Sequence, residues 1–228
     1  MFYIVLIASV LIGAGIAFFY KDLSKDKTKL LISFSGSYLF AITVLHLIPD
    51  VYNHGHNHSV GIYVLIGFFF QILLEHFTKG AEHGHSHINN SIPISVLIGL
   101  SIHAILEGMP LGNSHHGHVH DNLLMGLAIH KVPVSIVLMN MFLASGFSNL
   151  KSILIIIAFA FMSPLGMFIS EFINFTNYHN EIMALVIGIF LHISTTILFE
   201  SSENHNFNQR KIISIILGSG IAILGMTM

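Results

Sequence analysis

The chain has 228 residues, 54% of them hydrophobic and only 9% charged. Soluble domains carry about 25% charged residues, so this composition excludes an ordinary water-soluble globule and points to an all-α, polytopic, integral membrane protein. The formal net charge of −2 gives no reason to expect a nucleic-acid partner, and the absence of cysteine rules out disulfides and thiolate metal sites.

A bilayer-spanning helix needs roughly 20 mostly apolar residues. In chain order the apolar stretches cover 2–20, 28–52, 59–78, 92–112, 122–145, 150–174, 180–200 and 209–227. Eight transmembrane helices joined by short loops leave no room for a soluble domain, so 1–228 reads as one transmembrane unit. The first stretch lacks a preceding basic segment and is followed by Lys21. That order suits a first span with its N-terminus outside better than a cleaved leader.

The second span closes on His46-Leu-Ile-Pro49-Asp50, and the loop after it carries His54, His56 and His58. The third span ends with Glu75 and His76, and the next loop holds Glu82, His83, His85 and His87. The fourth contains His103-Ala-Ile-Leu-Glu107-Gly-Met-Pro110. Beyond it lie His115, His116, His118, His120 and Asp121, and the fifth span contains His130-Lys131-Val-Pro133. The sixth has Ser163-Pro164-Leu165-Gly166 and Glu171, and the seventh has His192. Gly13, Gly15, Gly218 and Gly220, in the first and last spans, permit close helix packing and so allow a homodimer.

Basic residues set the orientation. Lys21, Lys25, Lys27, Lys29, Lys79, Lys151, Arg210 and Lys211 all fall between spans one and two, three and four, five and six, or seven and eight. The positive-inside rule places those loops in the cytoplasm and both termini on the opposite side. The ninth basic residue, Lys131, lies inside the fifth span.

Ionisable residues within a bilayer are costly and mark functional sites. His103 and Glu107 are four residues apart and so share one helix face. The short loop between spans four and five makes these helices plausible antiparallel neighbours, which brings His130 to a similar depth. Neutral imidazoles and a carboxylate together suit zinc, iron(II), manganese or related ions. The Lys131 ammonium opposes a cation but can pair with Glu107 in an empty site. Pro49, Pro110, Pro133 and Pro164 each remove a backbone donor inside a span, and three of the carbonyls so released adjoin His46, Glu107 and His130. In lipid such carbonyls must face protein or a water-filled cavity. The alternating histidine tracts on both sides suit loose capture and hand-off of divalent ions.

These features together resemble the ZIP (Zrt/Irt-like) divalent-metal transporters over nearly the whole chain. The resemblance rests on the eight spans, the outward termini, the histidine-rich cytoplasmic loop and four motifs: His46-Leu-Ile-Pro49-Asp50, His103-x-x-x-Glu107-Gly108, His130-x-x-Pro133 and Ser163-Pro164-Leu165-Gly166. It implies zinc uptake toward the cytoplasm, often of iron or manganese as well, through a transport site that is often binuclear. One metal's ligands are present as His103, Glu107 and His130. Those of a second are not, because Ala104, Lys131, Val134 and Ser163 stand where the family often has Asn or acidic residues. A mononuclear site is therefore expected, with Lys131 filling the second metal's space, and the chain resembles the branch with a His-Lys pair in the fifth helix. His46 and Asp50 are expected to assist capture. No ATP-binding loop occurs and no covalent chemistry is needed, so neither enzymatic activity nor a resident cofactor is expected, and the metal is cargo. The alternative is a membrane metal receptor or sensor that does not transport; it would be indifferent to loss of Glu107.

Overall fold

The computed structural model describes residues 1–20, 25–54, 57–78, 94–113, 117–173, 178–200 and 209–227. Everything regular among them is helical. The elements are α1 (Phe2–Phe19), α2 (Lys25–Ile42), a π-helical stretch (Thr43–Leu47), α3 (Ile48–His54), α4 (Asn57–Thr78) and α5 (Ile94–Gly108). Then follow a 3-10 turn (Met109–Asn113), α6 (Gly117–Ala144), α7 (Asn149–Ala160), α8 (Met162–Ile173), α9 (His179–Glu200) and α10 (Gln209–Thr227). Joined end to end where they are continuous, they form eight helical rods among the described residues. Six stretches are long and apolar enough to cross a bilayer, and Val96–Gly112 is a shorter apolar helix. Spans of that number and length make this an integral, multi-pass membrane protein.

The intraspan prolines set where the rods depart from α geometry. Before Pro49 the ladder widens, and the Ile48 N–H reaches back to the Thr43 carbonyl. At Pro110 the α-helix tightens to 3-10. Three residues before Pro164 the rod breaks at Phe161, which separates α7 from α8. Only Pro133 sits inside an uninterrupted helix. The missing donor and the clash with the preceding turn account for such local rearrangements. Between α6 and α7 the reversal is tight: Gly146 takes a positive φ of 78°, and the Phe147 N–H bonds to Phe142 O, as in a Schellman termination. Ser148 then caps α7 by accepting from the Lys151 N–H.

Two groups of helices pack closely. α4 lies on α9 and α2 on α10, while α1 lies on α6 and α5 on α8. The groups meet where α2 crosses α6 and α4 crosses α5. Close approach in the second group depends on glycine. A Cβ on Gly108 would overlap the Ser163 carbonyl, and one on Gly166 would overlap the Ile105 carbonyl. Gly13 and Gly218 likewise abut the backbones of α6 and α2, whereas Gly15 and Gly220 have nothing within 4 Å. Large apolar side chains such as Ile62, Leu65, Phe69, Leu154, Phe168 and Leu217 are exposed, while serines, histidines, Gln71, Glu107 and Lys131 are buried. A bilayer favours that inverted arrangement because lipid tails accept apolar surface and polar groups find partners inside the bundle.

Two sequence expectations shift. Helix α6 begins at Gly117 and α4 at Asn57, so the backbones of His118, His120 and His58 are helical, as is that of His54 at the end of α3. An apolar count marks only the part of a helix that crosses hydrocarbon, and backbone bonding continues past it.

Candidate metal centre

His103 and Glu107 of α5 and His130 of α6 come together. Their ligand atoms all lie within 4.8 Å of one another, and all three side chains are buried. Among the described residues no other set of three His, Cys, Asp or Glu side chains gathers in this way. Donors on a tetrahedral zinc ion with bonds of ~2.0–2.1 Å lie about 3.3 Å apart, so one cation can draw on this group with small side-chain adjustments.

The carboxylate is shared. Lys131 Nζ donates to Glu107 Oε2 at 2.7 Å. His103 Nε2 lies 2.8 Å from Oε1, yet Oε1 accepts no hydrogen bond and is fully enclosed. The other ring nitrogen explains this. His103 Nδ1 is 3.2 Å from Gln71 Oε1 on α4, and an amide oxygen can only accept. In a neutral His103 that donates through Nδ1, Nε2 presents a lone pair. In that state two electron-rich atoms converge on one point, a geometry that a cation completes. The Gln71 contact is also the outer hydrogen bond that orients a metal-binding imidazole and raises its basicity. Beside the cluster, the Ser163 hydroxyl donates to the Ala104 carbonyl at 2.8 Å, which ties α8 to α5 one turn from Glu107. The Ser135 hydroxyl donates to the Lys131 carbonyl at 2.6 Å.

The remaining expected residues fall elsewhere or outside the described part. His46 is half-buried on the π-helical stretch, with Nε2 3.0 Å from Asn122 Nδ2 of α6. Asp50, also half-buried, lies in the first turn of α3. Neither belongs to the three-residue cluster. His56, His83, His85, His87, His115 and His116 lie outside the described residues, as do the side chains of His54, His58, His118 and His120. Gln71 and Asn122 belong to no sequence motif. Glu75 and His192, single residues in the sequence, prove to be in contact: Glu75 Oε2 lies 2.5 Å from His192 Nε2.

Comparison with known proteins gives the family. Over 172 residues, 65% of this chain, it is 26% identical to "Protein zntD" of Dictyostelium discoideum. Over 165 residues, 62% of this chain, it is 24% identical to "Zinc transporter ZIP9-B" of Xenopus laevis. The matched parts amount to 25% and 54% of those proteins, so the chain spans about a quarter of the first and half of the second. The family described as "ZIP Zinc transporter" matches residues 79–228, a stretch that includes α5 to α10 and every member of the buried cluster. The chain belongs to the ZIP zinc transporter family.

Proposed function

We propose that this chain carries divalent transition-metal ions, zinc foremost, across the membrane toward the cytoplasm as a single transmembrane unit with eight spans. His103, Glu107 and His130 hold one ion in transit. The observation that carries this reading is the burial of His103, Glu107 and His130 with their ligand atoms within 4.8 Å of one another. Two imidazoles and a carboxylate gathered inside a bilayer-spanning bundle are costly, and ionisable groups so placed mark ion pathways. Family membership and the zinc transporter named among the relatives support zinc as cargo.

Lys131 makes the site mononuclear in this reading. Its ammonium neutralises Glu107 in the empty state, so the carrier can reorient without an uncompensated buried charge, whose cost is several kcal/mol. An arriving ion competes with the ammonium for the carboxylate. The helix group α1, α5, α6, α7 and α8 carries the site, and its displacement against α2, α4, α9 and α10 would give alternating access. His46 and Asp50 lie toward the end of the bundle opposite the basic loops, which suits capture.

The test is zinc uptake by sealed proteoliposomes with an interior zinc dye, comparing wild type with Glu107→Ala. Loss of a ligand exceeds loss of an outer-shell partner, which costs 10–100-fold, so uptake should fall by at least ~100-fold. Undiminished uptake in the variant moves the site elsewhere. Folded wild type that moves neither zinc, iron(II) nor manganese leaves a receptor.

A further inference from the structure

Resting on that reading, we infer that Gln71 is a positioning residue that links cation loading to the movement of the helix groups. It grips His103 in this arrangement and loses it when the groups slide, so a bound ion favours this arrangement. Gln71 Oε1 lies 3.2 Å from His103 Nδ1. Gln71 stands on α4 and His103 on α5, so the bond joins one helix group to the other. Lys131, which holds Glu107 Oε2, stands on α6 and travels with the ligands.

Both ends of the bond are anchored. A Cβ on Gly67 of α4 would overlap the Leu185 carbonyl of α9, and one on Gly188 of α9 would overlap the Val64 carbonyl of α4. The two backbones are in direct contact, and Gln71 lies one turn further along α4. On the other side Gly108 and Gly166 bring α5 against α8, and the Ser163 hydroxyl holds the Ala104 carbonyl, next to His103. Neither partner can follow the other when the groups slide. At 3.2 Å the bond is already at the long end of the N–H···O range. One helical turn of displacement, ~5.4 Å, parts it.

The bond also responds to occupancy. In a neutral His103, Nδ1 donates to the Gln71 oxygen and Nε2 presents the lone pair that a cation takes. A cation on Nε2 draws electron density from the ring and makes the Nδ1 proton a stronger donor. Outer partners of this kind change metal affinity about 10–100-fold. Such linkage is reciprocal: an ion held more tightly with Gln71 engaged raises the ratio of this arrangement to the displaced one by the same factor. Gln71 is fully enclosed, and an amide so placed is costly without a hydrogen bond. Its presence in an apolar span is explained by the bond to His103 rather than by packing.

The other bond across the boundary, between Asn122 Nδ2 and His46 Nε2 at 3.0 Å, lacks this property. Neither residue belongs to the buried cluster, so that bond stabilises this arrangement whether or not the cluster is occupied.

Distances between spin labels on the two helix groups test the link. The chain has no cysteine, so Leu154→Cys on α7 and Leu217→Cys on α10, both exposed, take one label each. The ratio of the two arrangements is read in lipid nanodiscs without zinc and at saturating zinc, with zinc binding followed separately by calorimetry. With Gln71 present, zinc should raise the ratio at least ~10-fold, the lower bound for an outer partner. Gln71→Leu keeps an apolar side chain of similar size but removes the acceptor, and should cut that response at least fivefold. Gln71→Glu returns an acceptor and should return the response, which a role in packing alone would not do. A smaller loss in Gln71→Leu, a Gln71→Glu protein that behaves like it, or no response in protein that keeps Gln71 and binds zinc overturns the link while the transport reading stands. Protein with Gln71 that neither binds nor moves zinc overturns the transport reading, and the link with it.

Discussion

Glu107 divides its two oxygens between Lys131 and His103, and that division governs the affinity of the site. Two unit charges 4 Å apart at an effective dielectric of 20 interact by ~4 kcal/mol, and a divalent ion doubles its repulsion with the ammonium. Replacing Lys131 by methionine keeps the length of the side chain but removes the charge. The half-saturating zinc concentration for uptake should then fall at least ~10-fold, equivalent to ~1.4 kcal/mol; an unchanged value would show that Lys131 does not compete with the ion. At this scale much of the site was legible. The four-residue spacing of His103 and Glu107 gave their shared face, and the cost of intramembrane charge gave the expected pairing of Lys131 with Glu107. Gln71 escaped because a lone amide carries no periodicity; only the fold shows which imidazole it meets.

The elements were legible to within a few residues, since apolar length is what a bilayer demands. The predicted 2–20 became Phe2–Phe19, and 180–200 became His179–Glu200. What the sequence left open was how each proline would be absorbed. A missing donor can widen the ladder, tighten it or break it, and the choice depends on neighbouring helices: π before Pro49, 3-10 at Pro110, a break before Pro164. The α5–α8 contact is the most sensitive to side-chain size, because Gly108 and Gly166 each face a carbonyl of the other helix. Gly108→Ala should push the helices apart and displace Glu107, the adjacent residue. Overpacking of this kind costs about 1–3 kcal/mol. The detergent-solubilised protein should melt several degrees lower, and zinc uptake should fall at least fivefold. Wild-type melting and uptake would show that the contact has slack.

Across the whole molecule, two helix groups meet along α2–α6 and α4–α5, with the buried cluster on one and Gln71 on the other. The hydrogen bond from His103 to Gln71 and that between Asn122 and His46 cross this boundary, so a sliding movement must exchange both. The grouping was not legible in the sequence: hydrophobicity counts rods but does not say which rods pair. The most direct measurement is anomalous diffraction at the zinc absorption edge from crystals grown with zinc. The account predicts one ion between α5 and α6, at ~2.0–2.2 Å from His103, Glu107 and His130, with Lys131 occupying the adjoining space. Two ions between these helices, or none within reach of Glu107, would contradict it.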